Sequence, residues 1–212
     1  PRFRVRMKDG KDLRREEIIT WLNGMAAFAG GELTTASADA SFRRYFRLSK
    51  GNQTFVVMDA PPDKEPCEPF VRIGLRLKEA GVRVPEIHAQ DPERGYLVLT
   101  DFGDLHYQEA LEGERRDDLY DAALAEILKF QTGLKNRTDD LPVYDEAWIR
   151  MELEIFREWC LPDFSEDEYQ DLVTPLVEVF SEQPQTFVHR DFHCRNLLLP
   201  PGGSVGVIDF QG

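Results

Sequence analysis

Residues 189–210 read HRDFHCRNLLLPPGGSVGVIDF, and this stretch decides the fold. It places His189, Asp191 and Asn196 in the spacing H-x-D-x-x-x-x-N, and Asp209 follows Asn196 by thirteen positions. Two apolar runs flank a Pro-Pro-Gly-Gly turn between them, a pattern that predicts a buried β-hairpin. The hairpin returns the chain, so we expect Asn196 and Asp209 to come close enough to share a ligand.

This pattern fits the chemistry of phosphoryl transfer from a nucleotide. In that reaction a loop Asp accepts the proton of the attacking hydroxyl, while an Asn and a second Asp hold magnesium. The spacing therefore predicts Asp191 as the catalytic base and Asn196 and Asp209 as metal ligands. His189 is interpreted as a structural residue that orients the loop. The competing interpretation is an ordinary buried hairpin with polar residues at its ends.

Composition argues against several other classes of protein. No apolar run approaches the roughly 18 residues of a membrane span, and a formal net charge of −13 argues against a nucleic-acid-binding surface. The three cysteines, Cys67, Cys160 and Cys194, are widely spaced and form no C-x-x-C pair, so a zinc site and a disulfide framework are not expected. A reducing cytoplasm is the predicted location. The basic N-terminus lacks the apolar segment of a signal peptide.

The residue pattern changes from β-rich to helical near residue 103. Before this point it predicts a helix over 14–28, a β-hairpin that turns at Lys50-Gly51-Asn52, a helix over 69–80 that stops at Gly81, and further strands within 84–104. After it come helices within 117–134, 145–161 and 165–180, the second with Trp148, Met151, Ile155 and Trp159 at helical spacing. We therefore predict a nucleotide-binding lobe over 1–103 and a partial helical lobe over 104–212.

Residues 100–104, TDFGD, spell the metal motif of protein kinases but lie about ninety residues before the H-R-D loop. In kinases the metal-binding Asp follows that loop. We interpret the segment as the hinge between lobes, with backbone groups of Leu97 to Thr100 offered to an adenine and with Leu99 and Asp101 as nucleotide-binding residues. A plain strand and turn is the alternative.

The third strand lacks the Lys that holds the α- and β-phosphates in many kinases, since Met58 and Asp59 stand where a cation is expected. Candidate replacements are Arg43, Arg44, Lys50 and Lys64. We assign Arg43 and Arg44 to the nucleotide site, although solvent-facing positions fit them equally well. No G-x-G-x-x-G loop is present, and TASADASF offers small residues in its place, with Ser41 as a hydroxyl contact. Arg190, His193 and Arg195 flank Asp191 and are candidates to meet a sugar carboxylate or a phosphate.

Five stretches together carry a resemblance to a known family: SADASFRRYFRL, FVVMDAPP, VYDEAWIRMELEIFREWCL, FVHRDFHCRNLLL and VIDFQ. Through them the chain resembles the aminoglycoside phosphotransferase family of kinase-like folds. The first two stretches are most similar to the bacterial kinases of that family that act on N-acetylmuramate and N-acetylglucosamine in cell-wall recycling.

The resemblance implies an α+β, protein-kinase-like bilobal fold with a β-rich N-terminal lobe and a helical C-terminal lobe. It implies ATP as donor, Mg²⁺ as cofactor, and transfer to the anomeric C1 hydroxyl of the sugar. It assigns Asp191 as base and Asn196 and Asp209 as magnesium ligands, in agreement with the spacing. Relatives of this fold continue beyond the last motif, so we expect the C-terminal lobe to be truncated here.

The expected partners are ATP and a small-molecule sugar acceptor, with no nucleic acid and no membrane; the sequence leaves the oligomeric state open. Two alternatives remain. One is a kinase for aminoglycosides or small amino alcohols such as choline, whose positive charge would suit an acidic surface. The other is a catalytically silent pseudokinase that binds a nucleotide, which the missing strand Lys motivates.

Overall fold

A computed structural model describes residues 12–38, 42–135 and 137–210, which form two compact units. The first unit combines the residues up to Gly133 with those from His189 onward, and the second is Leu134–Val188. The lobe boundary at residue 103 stays a prediction, because these units follow the contacts within the chain and do not locate a hinge.

An antiparallel five-stranded sheet is the centre of the first unit. Its strands follow the spatial order β1-β2-β3-β5-β4. In chain order they are β1 (Glu32–Ala38), β2 (Arg44–Lys50), β3 (Gln53–Asp59), β4 (Ile87–Asp91) and β5 (Tyr96–Thr100). The predicted hairpin is confirmed, since β2 and β3 pair from Lys50 opposite Gln53 across a turn at Gly51. Gly51 has a φ of 58°, a conformation that glycine adopts without the steric penalty of a side chain.

Helix α1 (Leu13–Asn23) covers one face of this sheet. The Asp12 carboxylate caps it by accepting a hydrogen bond from the Arg15 backbone N–H at 3.2 Å. Ile18 and Leu22 are buried in one cluster with Phe46, Leu48 and Val57 from the sheet, and Trp21 and Met25 pack against that cluster. The helix predicted over 14–28 therefore ends earlier, at Asn23, and Met25 packs on the core from the turn that follows it.

Helix α2 (Glu68–Glu79) follows β3 and ends, as predicted, before Gly81, whose φ is 82°. The short α3 (Tyr107–Ala110) and the longer α4 (Arg116–Gly133) come next. Helix α4 buries Leu119, Ala123 and Phe130. No helix in the described parts of the chain combines the length and the apolar character needed to cross a membrane. The unit closes with two very short strands, β6 (Leu197–Leu198) and β7 (Gly206–Val207), which form the predicted hairpin.

The second unit is a pair of helices, α5 (Glu146–Cys160) and α6 (Glu166–Ser181). Ser165 and Glu168 form the capping box that their spacing predicts, and α6 continues through Pro175. The two helices share a small core that contains Ile149, Tyr169, Val173 and Val177. On α5, the apolar residues at helical spacing are not the ones that are buried. Helix α6 packs on Ile149 and leaves Met151, Ile155 and Trp159 exposed.

A buried acid at the end of β3 ties α1 to the sheet. The Asp59 side chain is 0% exposed. One of its oxygens accepts a hydrogen bond from Arg14 Nε at 2.8 Å, and the other accepts one from Arg44 Nε at 2.9 Å. Arg44 also pairs with the capping residue Asp12. Both carboxylate oxygens are thus satisfied by guanidinium groups, which offsets the cost of removing the charge from water.

Removing the charge of Asp59 is expected to destabilise the first unit. Asp59→Asn leaves two arginines facing a neutral group in a dry site, a change that costs on the order of 3 kcal/mol. Asp63→Asn is the matched control because Asp63 is exposed on the segment after β3. Urea unfolding of both variants checks this, and equal midpoints for the two would contradict it.

Candidate functional site

A cavity of about 410 Å³ lies in the first unit, lined by the sheet, the segment after β5 and the β6–β7 hairpin. Among the residues singled out from the sequence, it brings together Leu99, Asp101, Arg195, Asn196 and Asp209, whereas Asp191 is not part of its lining. Apolar lining comes from Ala36 and Val56 on the sheet and from Leu198 and Ile208 on the hairpin. The cavity therefore offers an apolar slot for a flat ring and, in the same space, oxygen ligands for a cation.

The hairpin holds the polar residues by backbone hydrogen bonds. Ile208 N–H donates to the Asn196 carbonyl at 3.0 Å, which fixes Asn196 beside the residue that precedes Asp209. His189 is buried, and its Nε2 lies 3.0 Å from the Ile208 carbonyl oxygen, to which it donates. Burial lowers the pKa of His189, so the neutral ring is favoured. These contacts are those of the orienting residue predicted from the sequence.

Asp191 is held at both carboxylate oxygens. Asn196 Nδ2 donates to Asp191 Oδ2 at 3.1 Å and to its backbone carbonyl at 3.0 Å. His193 Nε2 lies 3.0 Å from Oδ1. His193 Nδ1 accepts from the Arg195 N–H at 3.2 Å, so the hydrogen of a neutral His193 ring lies on Nε2 and points at Asp191. The side chain of Asp191 is nevertheless 57% exposed, so it can be reached by a substrate.

This contact gives His193 a positioning role that the sequence reasoning missed. The sequence suggests for His193 only a contact with a sugar carboxylate or a phosphate, as for Arg190 and Arg195. Arg195 does line the cavity, and its Nε donates to Gln108 Oε1 at 2.9 Å. The signal available in the sequence was the position of His193, two residues after Asp191, which lets a short side chain reach back to the carboxylate.

Backbone strain marks the same residues. Arg190, directly before Asp191, has a φ of 68°, and Asp209 has a φ of 60°. Within the described ranges these are the only residues other than glycine with positive φ. Such conformations cost about 1–3 kcal/mol each and cluster at functional sites, where the surrounding contacts maintain them.

The segment after β5 packs directly on the hairpin. Phe102 is buried, and a Cβ atom placed on Gly206 would lie only 2.6 Å from Phe102 Cδ2. Glycine is therefore required at position 206 for β7 to approach the ring. Val207 N–H also donates to the Arg83 carbonyl at 2.8 Å. The proposed hinge and the proposed metal-binding hairpin are thus one packed assembly.

Arg47 on β2 binds this segment and was not predicted. Its Nε donates to Asp101 Oδ2 at 2.7 Å, and its Nη2 donates to Asp104 Oδ1 at 2.7 Å. All three residues line the cavity. The hydrogen bonds with Asp104 and Asp101 raise the pKa of the Arg47 guanidinium, and the bond to Arg47 lowers the pKa of Asp104. Its sequence signal was the alternation of β2, which places Tyr45 and Arg47 on the cavity side.

The backbone groups expected to contact an adenine lie a few residues further along the chain than Leu97 to Thr100. Strand β5 lies between β3 and β4, so the ladders on its two sides engage the backbone of Leu97 to Leu99. Thr100 N–H donates to the Glu86 carbonyl at 2.9 Å. Leu99 still reaches the cavity. Backbone contacts to an adenine are therefore expected from Asp101 onward.

The described residues other than Leu99 and Asp101 that were assigned to the nucleotide site are not in the cavity lining. Arg44 pairs with Asp12 and Asp59 and does not line the cavity. Arg43 is also outside the cavity lining, and it pairs with Glu65, with 3.3 Å between Nη2 and Oε1. Ser41 lies outside the described residues, so its assignment stays a prediction.

The two candidate lysines lie elsewhere. Lys50 Nζ donates to the Ala26 carbonyl at 2.6 Å, and Lys64 is exposed. Among residues 12–38, 42–135 and 137–210 no group of three or more His, Cys, Asp or Glu side chains is arranged to hold a metal ion. A cation at the hairpin would therefore depend on the amide oxygen of Asn196 beside the Asp209 carboxylate.

Comparison with known proteins gives a family and close relatives. Residues 32–212 match the phosphotransferase enzyme family. The chain is 39% identical to the N-acetylmuramate/N-acetylglucosamine kinase of Pseudomonas putida, over 94% of this chain and 63% of that protein. It is 40% identical to the protein of the same name from Pseudomonas aeruginosa, over 94% of this chain and 64% of that one. The chain therefore spans a little under two thirds of the length of these relatives.

Solved structures show the same fold at lower identity. ADP-bound aminoglycoside phosphotransferase APH(2'')-Ib is 17% identical and has a TM-score of 0.61, with 92% of this chain and 70% of that chain covered. Choline kinase LicA from Streptococcus pneumoniae is 14% identical with a TM-score of 0.61, over 93% of this chain and 68% of that chain. The predicted α+β, kinase-like fold is confirmed by these likenesses.

Proposed function

Since the chain belongs to the phosphotransferase enzyme family, we propose that it acts as an ATP- and magnesium-dependent sugar kinase in cell-wall recycling. Its acceptor would be the anomeric C1 hydroxyl of N-acetylmuramate or N-acetylglucosamine. The observation that carries this proposal is the cavity that Leu99, Asp101, Asn196 and Asp209 line together, with Asp191 hydrogen-bonded to Asn196. The free cysteines of the described chain are compatible with a reducing cytoplasm, which we propose as the location.

The nucleotide end of the cavity fits an adenine. Ala36 and Val56 from the sheet and Leu198 and Ile208 from the hairpin provide apolar surface for a ring, while the backbone after Thr100 provides hydrogen-bonding groups. Binding pockets of this kind combine an apolar lining with a few placed polar groups. This lining supports ATP as the proposed donor.

The hairpin residues fit magnesium. The Asn196 amide nitrogen donates to Asp191, which orients the side chain, and the amide oxygen is its ligand atom. The Asp209 carboxylate lines the same cavity, and magnesium prefers oxygen ligands of these two kinds. Magnesium, when bound, neutralises charge on the β- and γ-phosphate oxygens.

Asp191 is the proposed general base. It accepts the proton of the sugar hydroxyl as that oxygen bonds to the transferred phosphorus and the bond to the leaving ADP breaks. His193 and Asn196 hold its carboxylate in one orientation while leaving it exposed to an acceptor. Because an anomeric hydroxyl is more acidic than an ordinary alcohol, a carboxylate base is sufficient for this proton transfer.

The names of the two Pseudomonas relatives, at 39% and 40% identity, support the amino-sugar acceptor. The second candidate is a kinase for aminoglycosides or choline-type alcohols, which the names of the structural neighbours favour. A screen of MgATP turnover against N-acetylmuramate, N-acetylglucosamine, an aminoglycoside and choline decides between them. We expect turnover with the two sugars. The product should lack reducing-sugar reactivity, because its C1 hydroxyl is phosphorylated.

Two other results of this screen contradict the proposal. Turnover only with the cationic acceptors would assign the second function. Nucleotide binding without turnover of any acceptor would identify a catalytically silent nucleotide-binding protein, the possibility raised by Met58 and Asp59 on β3.

Asp191→Asn is expected to lower kcat by about 10²–10⁴-fold, because an amide cannot accept the proton. The amide oxygen of the new Asn can still accept the hydrogen bond from Asn196, so MgATP affinity should remain close to that of the parent. Steady-state kinetics and calorimetric titration with MgATP check the two halves of this prediction. A kcat within about twofold of the parent would remove Asp191 as the base.

Asp209→Asn is expected to reduce the gain in nucleotide affinity that magnesium gives. Asn tolerates the left-handed backbone of position 209 and keeps the size of the side chain, but it has no charge for the cation. ATP titrations with magnesium and with a chelator measure this gain, and Asp63→Asn is the control for loss of an acid elsewhere. An unchanged magnesium effect in Asp209→Asn counts against Asp209 as a ligand.

A further inference from the structure

We propose that Arg43, positioned by Glu65, is the cation that holds the nucleotide phosphates in place of the missing strand lysine. This inference rests on the proposed function, since it presumes that the cavity takes ATP. In protein kinases a Lys on the third strand does this work and pairs with a Glu of the following helix. Here the same two charges come from the residue before β2 and from the segment before α2.

The third strand carries no cation on its cavity side. Val56 lines the cavity, and by strand alternation Met58 shares its face. Met58 is fully buried. The opposite face of β3 is occupied by Val57 and Asp59, which contact residues of α1. A phosphate-holding charge must therefore come from another element.

Strand β2 separates its two candidate arginines by the same alternation. Tyr45 and Arg47 line the cavity, whereas Phe46 and Leu48 are buried against α1. Arg44 belongs to the second set, as its bonds to Asp59 confirm. Arg43, directly before β2, continues the phase of Tyr45 and Arg47, and its side chain meets Glu65 just outside the cavity lining.

The position along β2 places Arg43 away from the hinge. Arg47 binds Asp101 and Asp104 at the nucleoside end of the cavity. Arg43 lies four residues earlier, which is about 13 Å along a strand. A nucleotide whose base lies at Asp101 would extend its phosphates in this direction.

A second set of contacts links the helix that follows Glu65 to the metal residues. Glu65, the partner of Arg43, lies three residues before α2, and Phe70 on α2 lines the cavity. The Phe70 ring packs against Phe210, the neighbour of Asp209, with centroids 4.9 Å apart. The start of α2 is therefore adjacent to the segment that carries the proposed magnesium ligand.

The Arg43–Glu65 pair is suited to holding an anion. The two side chains are 10% and 25% exposed, so their charges are only partly screened by water. Glu65 Oε1 is the closest oxygen, and the buried Oε2 has no hydrogen-bond partner among the described residues. A guanidinium carries five N–H donors in a planar fork, a geometry that matches the oxygens of a phosphate group.

The test is a comparison of affinities for adenosine, MgADP and MgATP, measured by calorimetry on the protein without acceptor. Arg43→Met is expected to weaken MgATP binding by about tenfold or more, because a charge-assisted contact is lost. Adenosine affinity should stay within about twofold of the parent. Arg43→Lys should retain part of the MgATP affinity, since it keeps the charge but loses the fork.

The matched control is Arg72→Met on α2, an arginine that pairs with Glu68 on its own helix. Its three affinities should equal those of the parent. Thermal unfolding of every variant identifies a folding defect, and if Arg43→Met does not fold, Arg43→Gln carries the same expectation with a polar side chain of closer shape.

Two results overturn this inference alone: MgATP affinity unchanged in the folded neutral Arg43 variant, or adenosine affinity lost in parallel with MgATP affinity. The second would show that Arg43 shapes the cavity without touching phosphate. A parent protein that binds neither adenosine nor MgATP would instead reject the proposed function, and this inference with it.

Discussion

The site depends on a hairpin that cannot be stable by itself. Strands β6 and β7 have two residues each, and isolated hairpins of even greater length are marginal in water. The structure attaches this one to its surroundings by backbone bonds: Leu199 N–H to the Leu105 carbonyl and Val207 N–H to the Arg83 carbonyl, both at 2.8 Å. Asn196 and Asp209 are close only because these attachments hold both arms, so the geometry of the site is a property of the whole first unit.

The same attachments explain how two strained residues persist. Positive φ at Arg190 and Asp209 is unfavourable for side chains with a Cβ, and each position adjoins a group fixed by the hairpin. His189, next to Arg190, donates to the Ile208 carbonyl, next to Asp209. One hydrogen bond therefore links the two strained positions. The burial that disfavours the charged form of His189 also keeps this bond dry, which strengthens it.

The polar residues of the hairpin could be predicted from the sequence because their spacing along a tightly returning chain leaves few arrangements. The short helix α1, the β2–β3 hairpin and the capping box at Ser165 were equally accessible, since each depends on neighbours in the chain. Features that depend on distant partners were not. Arg47 could not be connected to Asp101 and Asp104 without the fold, and the exposed face of α5 depends on where α6 packs.

Three arginines at and just before β2 show why such features cannot be predicted from the sequence. Arg43, Arg44 and Arg47 lie within five positions and have the same chemistry, yet they meet Glu65, Asp59 and Asp101 respectively. A shift of one residue in strand register would exchange their faces. The burial of Phe46 and Leu48 against α1 prevents this shift in register, because it fixes which face of the strand each residue occupies. The hydrophobic face of β2 therefore determines which cations reach the cavity on the other face.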